Sequence, residues 1–126
     1  MVTIIIEYYQ RGRFTMFFFG NKASKIAKCA QKGNGNPVVK LIKDPDMSVR
    51  LAAIDCMGAT RCHAASNDLI NMLQDPNADV RAHVAGALAG IGDVHAKAHI
   101  ANASSVEKNP ETKAAMIKAI AALKDF

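Results

Sequence analysis

Tryptophan is absent from this chain, and its few aromatic residues, 6% of 126, gather mostly before residue 20. The remainder therefore carries no base-stacking platform of the kind that single-stranded nucleic-acid binders use. No apolar run is long enough to cross a bilayer. The early runs, Thr3 to Ile6 and Phe14 to Phe19, are split by Glu7, Arg11 and Arg13, and no small-residue cleavage site comes after them, so no secretory signal is read. Cys29, Cys56 and Cys62 are odd in number and match no zinc or redox spacing, which points to reduced thiols in a cytoplasm. Gly-x-Ser-x-Gly, a phosphate-cradling glycine loop and suitably paired carboxylates are all missing, so neither catalysis nor a cofactor is expected. The Gly33-Asn34-Gly35-Asn36-Pro37 stretch reads as a turn, because no strand precedes it.

What is present is an ordinary soluble composition, 50% apolar and 21% charged, sufficient for one compact domain with its own core. The net charge of +5 is uneven. Residues 1–43 carry eight basic side chains against Glu7 alone, while the rest is acidic by two, so an anionic partner would be drawn to the N-terminal end. Two readings stay open for residues 1–20: a β-hairpin turning near Gly12, or a start at Met16 behind a fifteen-residue extension. In either, Phe17 to Phe19 would cover the N-terminal end of the domain beyond residue 20.

The informative feature is internal repetition. Asp44-Pro45-Asp46-Met47-Ser48-Val49-Arg50 returns as Asp75-Pro76-Asn77-Ala78-Asp79-Val80-Arg81, a shift of 31, and register holds on both sides. Val38, Val39, Leu41 and Ile42 fall 31 before Leu69, Ile70, Met72 and Leu73; Ala53, Cys56 and Met57 fall 31 before Val84, Ala87 and Leu88. A weaker copy, shifted by 32, aligns Asn109, Glu111, Thr112 and Lys113 with Asn77, Asp79, Val80 and Arg81. Apolar residues recur at helical spacing (Val49, Ala53, Cys56, Met57; Val80, Val84, Leu88, Ile91), which predicts two helices per unit. Ser48 and Asp79 are expected N-caps, Pro110 suits a first helical turn, and Gly58 and Gly92 fall near helix ends. Helices are expected near 22–32, 37–43, 47–59, 65–73, 78–91, 95–104 and 110–124: three pairs and an unpaired last helix. The fold class is all-α, an α-solenoid spanning residues 21–126, with residues 1–20 an extension or end cap.

The Asp-Pro turn, the Val-Arg pair, the small residues after it and Gly90-Ile91-Gly92-Asp93 resemble the short HEAT-like repeats of phycobilin lyases, over roughly residues 37–124. The resemblance implies a right-handed stack with first helices on the convex side and second helices lining the concave side. For function it implies a protein-binding adaptor or, alternatively, a lyase-like accessory subunit, since repeats of this kind also serve lyases, hydroxylases and DNA glycosylase-like proteins.

Within that frame the register nominates side chains. Lys40, Asn71 and Asn102 are successive equivalents at 31, as are Lys43 and Gln74, and are expected to line a groove for an extended peptide, whose C=O and N–H an amide side chain can pair together. Lys22, Lys25, Lys28 and Lys32 form a stripe opposite Ala23, Ile26, Ala27 and Ala30, a footprint for phosphate or an acidic tail if it is more than a solvated face. Arg50 and Arg81 read as an anion-binding pair or as a ladder of ion pairs joining the repeats. His95 and His99, four apart, could share a metal with Asp68, the repeat equivalent of His99, although the hydroxylases' adjacent His-Glu pair is missing. Finally, Ala114, Ile117 and Ala121 form an uncovered stripe on the last helix where two chains are expected to meet.

Overall fold

A computed structural model describes residues 21–123. The expectations for the hairpin and for Phe17 to Phe19 lie outside the described residues. Every described element is helical: α1 (Asn21–Lys32), a 3₁₀ helix (Asn36–Lys43), α2 (Met47–Ala59), α3 (Ser66–Asn71) between 3₁₀ turns at His63–Ala65 and Met72–Gln74, α4 (Ala78–Ile91), α5 (Ala96–Val106) and α6 (Pro110–Ala122). These match the expected helices within a few residues. No described helix is long and apolar enough to cross a membrane.

The two Asp-Pro repeats each begin with an Asx turn that starts the first helix. Asp44 Oδ1 accepts from Asp46 N (2.9 Å), and Asp46 Oδ1 then accepts from Ser48 N and Val49 N. The second copy is the same with Asp75 and Asn77, whose Oδ1 accepts from Asp79 N and Val80 N. In the third, Asn109 caps Thr112 N, with Pro110 in the first turn. The N-caps are thus Asp46 and Asn77, not Ser48 and Asp79. The extended backbone of Asp46 and Asn77 (ψ 118° and 123°) aims their side chains at the open N–H groups, whereas Ser48 and Asp79 are already inside the helix.

The first helices stack side by side, α2 on α4 and α4 on α6. Val49, Ala53, Cys56, Met57, Val80, Val84, Leu88 and Ile91 are all buried, as their spacing implies, and join Val38, Leu69, Ile100 and Met116 in one core. Gly92 closes α4 in the left-handed conformation (φ 81°). Gly58 is next to last in α2, near the helix end as expected, and it also permits a close approach. A Cβ there would lie 2.8 Å from Ala87 Cα, and one on Gly90 would lie 2.8 Å from the Gly58 carbonyl oxygen, so α2 and α4 meet backbone to backbone.

A ladder of cations locks the stack. Arg50 Nε donates to its own turn at Asp44 O (3.0 Å), and its Nη1 lies 3.6 Å from Asp75, the acid of the next turn. Arg81 repeats this more tightly, donating to Asp75 O (2.7 Å) and forming two bonds with Glu107 (2.7 and 2.8 Å). Lys22 plays the forward part for Asp44 (2.7 Å). The ladder reading of the arginines therefore describes the geometry, and Lys22 joins it from the α1 stripe.

Candidate functional site

The second helices are shorter, and the first two of them are wholly or partly 3₁₀. In a 3₁₀ segment residues three apart eclipse one another, so the turn at Met72–Gln74 brings Gln74 into line with Asn71. Between this edge and α5 lies a cleft of about 740 Å³, lined by Asn71, Gln74, His99 and Asn102 with Ile70, Leu73, Ala103 and Val106 as its apolar part. The turn residues Asp75 and Pro76, together with Arg81, Glu107 and Lys108, form its far wall. Leu73 is buried and Ile70 half-buried, whereas Asn71, Gln74, His99 and Asn102 are exposed. Val106 is 76% exposed at the lip.

Three of the five groove residues expected from register thus share one concavity, and two do not. Lys40 and Lys43 are exposed on the 3₁₀ helix outside the cleft, and Lys43 Nζ lies 3.3 Å from Asp68 Oδ1 across on α3. That contact also bears on the suggested metal ligands. Asp68 faces a lysine, His99 lines the cleft, His95 stands exposed just before α5, and no three His, Cys, Asp or Glu residues are grouped to hold a metal among the described residues.

The wall built from Arg81 and Glu107 was not singled out by sequence reasoning. Extending the 32-residue register by two positions would have found it, because Glu107 aligns with Asp75. Its electrostatics are self-contained. The Arg81 guanidinium and the backbone N–H of Asn109 hold the Glu107 carboxyl below the usual range, and Glu107 in turn raises the affinity of Arg81 for its proton. The wall is therefore a fixed, mutually neutralised pair. The cleft offers neutral amide donors and acceptors beside an apolar strip rather than a field of one sign.

Elsewhere, Lys25, Lys28 and Lys32 are exposed along α1 opposite buried Ala23, Ile26, Ala27 and Ala30. All three cysteines are buried thiols; burial, with Cys29 and Cys62 nearby, pushes Cys56 up to about 11, and Cys62 donates to Asn36 Oδ1 (3.2 Å). Cys62 is buried while the adjacent His63 is exposed, so the pair forms no site. A second, shallower concavity of about 720 Å³ lies on the first helices around Gly58, Ala82, Gly86 and Gly90, crossed by a 2.8 Å contact between His83 Nδ1 and Asp55. It results from the small residues that let α2 and α4 approach.

Helix pairs stacked in register around a continuous core, with a cleft on the second-helix side, define an α-solenoid. The chain belongs to the HEAT-repeat family, whose model matches residues 35–121. That match is to HEAT repeats in general and does not single out the short phycobilin-lyase type. Among curated proteins no significant match was found.

Proposed function

We propose that this chain is a protein-binding module that holds an extended, largely uncharged peptide segment in the cleft between α3 and α5. The observation that carries the reading is the convergence of Asn71, Gln74 and Asn102 on one cleft beside Ile70 and Leu73. Paired amide groups at repeat spacing can satisfy successive backbone C=O and N–H groups of a strand-like ligand, and the apolar strip accepts alternate side chains. Because Arg81 and Glu107 neutralise each other, selection rests on backbone geometry and apolar fit more than on charge.

The exposed lysines of α1 favour a second reading, an anion or nucleic-acid surface at the N-terminal end. One experiment separates the two. Peptides selected on the purified protein from a random display library would be titrated against the wild type and against Asn71→Ala/Asn102→Ala, over a range of salt. The cleft reading expects affinity to fall by about 1–3 kcal/mol in the double variant, with an unchanged melting temperature and little salt dependence. Binding that survives the double variant but collapses with salt, or with Lys25→Glu/Lys28→Glu, would move the site to α1.

A further inference from the structure

The turns out of the first helices single out one side chain. α1, α2 and α4 are each followed by a residue in the left-handed region, Gly33 (φ 72°), Arg61 (φ 53°) and Gly92 (φ 81°), and Arg61 and Gly92 are repeat equivalents at 31. After α2 the turn is closed by Cys62 N–H donating to Met57 O (2.9 Å) and Arg61 N–H to Gly58 O (3.3 Å). Glycine takes this conformation without strain, whereas a side chain there crowds its own backbone. Arg61 is the one non-glycine residue with a positive φ among the described residues. The attraction of a cation to a helix C-terminus does not require it, because the last turn offers unstrained positions. Its side chain is exposed and, unlike those of Arg50 and Arg81, makes no hydrogen bond or ion pair among the described residues.

Arg61 continues a line of free cations. The turn after α1 packs on the turn after α2: a Cβ on Gly35 would lie 2.6 Å from Thr60 Oγ1, and Cys62 Sγ donates to Asn36 Oδ1 (3.2 Å). Lys32, just before Gly33, therefore stands at the same end as Arg61, with Lys28 and Lys25 one and two turns back on the same exposed face of α1. Residues 21–43 contain no Asp or Glu. Asp44 and Asp68 reach this segment but pair with Lys22 and Lys43, which leaves Lys25, Lys28 and Lys32 unpaired among the described residues. We infer that Lys25, Lys28, Lys32 and Arg61 form a docking surface, separate from the cleft, for an acidic helical segment of a partner protein. The lysine row is about 10 Å long, two helical turns, so carboxylates three and four residues apart on a facing helix meet it in register. The Arg61 fork takes a further carboxylate in two bonds. Nucleic acid fits less well. Residues 21–123 contain no Phe, Tyr or Trp to stack on a base, and the row spans only about a third of one duplex turn.

The probe is a labelled alanine-rich helical peptide with glutamates three and four residues apart, titrated into the full chain by fluorescence anisotropy. It should bind saturably. Lys28→Glu/Lys32→Glu should weaken binding by about tenfold or more, and Arg61→Gly by about three- to tenfold. Arg61→Gly should at the same time raise the melting temperature by about 2–4 °C, because it relieves the left-handed strain. A merely structural role for Arg61 would move the melt and leave the affinity alone. Lys118→Glu, on α6 at the far end of the stack beside the exposed stripe of Ala114, Ile117 and Ala121, should change nothing. Nor should Asn71→Ala/Asn102→Ala in the cleft. Absence of saturable binding, or equal weakening by Lys118→Glu, overturns the inference. So does an affinity unmoved by Arg61→Gly. An oligonucleotide duplex that binds more tightly than the peptide, through the same residues, overturns the assignment to an acidic protein in favour of nucleic acid.

Discussion

The two helical layers of these repeats are built differently from similar turns. First helices α2, α4 and α6 are regular α-helices of 13, 14 and 13 residues, capped by Asx side chains, joined by the Arg and Lys ladder and, between α2 and α4, seated backbone against backbone at Gly58 and Gly90. The second helices are an eight-residue 3₁₀ helix, a six-residue α3 extended by 3₁₀ turns, and an eleven-residue α5; none has a side-chain N-cap. A 3₁₀ helix has poorer hydrogen-bond geometry and rarely continues far, so this layer cannot pack into an equally tight sheet of helices. The contrast teaches that one layer holds the repeats in register while the other, being looser, leaves the space in which Asn71, Gln74 and Asn102 meet solvent.

The strongest test of that division is in the core. Leu88→Ala, in the first layer at 0% exposure, should cost about 2–5 kcal/mol in urea unfolding. Ile70→Ala, half-buried beside the cleft, should cost no more than roughly half as much. Equal costs would break the comparison.

Next comes the ladder. Arg81→Met leaves the nearly buried Glu107 carboxylate without its two bonds and should cost about 1.5–3 kcal/mol at neutral pH, and Arg50→Met less, because Arg50 meets Asp75 only at 3.6 Å. Since the Glu107 pKa is lowered on folding, its contribution is present above the unfolded value near 4.5 and is lost as pH falls through the folded value. The difference between wild type and Arg81→Met should therefore shrink in acid, which denaturant titrations at pH 7 and pH 3 would measure.

The glycines sharpen the point further. Gly90→Ala places a Cβ against the Gly58 carbonyl and should destabilise by about 1–3 kcal/mol despite the better helix propensity of alanine. Gly86→Ala, where a Cβ meets nothing within 4 Å, should stabilise by about 0.5–1 kcal/mol. If both substitutions act in the same direction, close backbone contact is not what holds the first layer.

The smallest effect belongs to His83, which ties α4 to α2 through Asp55. The hydrogen bond to Asp55 raises its pKa above 6.5, so the stabilisation is full below that value and is lost as pH rises through the folded pKa. Both side chains are more than a third exposed, which limits the contribution to a few tenths of a kcal/mol. An NMR titration of His83 in the wild type and in Asp55→Asn should show the raised value only in the former.

Much of this was legible in sequence. The returning Asp-Pro turn and the apolar spacing located the first helices and their buried faces, and register alone put Asn71 and Asn102 at equivalent positions, with Gln74 three residues on from Asn71. Two readings went astray for identifiable reasons. Ser48 and Asp79 are good cap residues in type, but the Asx turns at Asp44 and Asp75 put the cap two residues earlier than they stand. Lys40 and Lys43 share the register of Asn71 and Gln74 yet lie outside the cleft, because register says which face a residue occupies and not whether a neighbouring helix walls that face.

The sequence by itself determined the helix pairs, the core and the order of the stack, since these depend on periodicity and on turn chemistry within a few residues. Only the tertiary structure decided that Asp68 meets Lys43 and that α2 and α4 touch through glycine. Each of these depends on distances between separate helices, which are set by side-chain packing across the whole stack and leave no mark in local pattern.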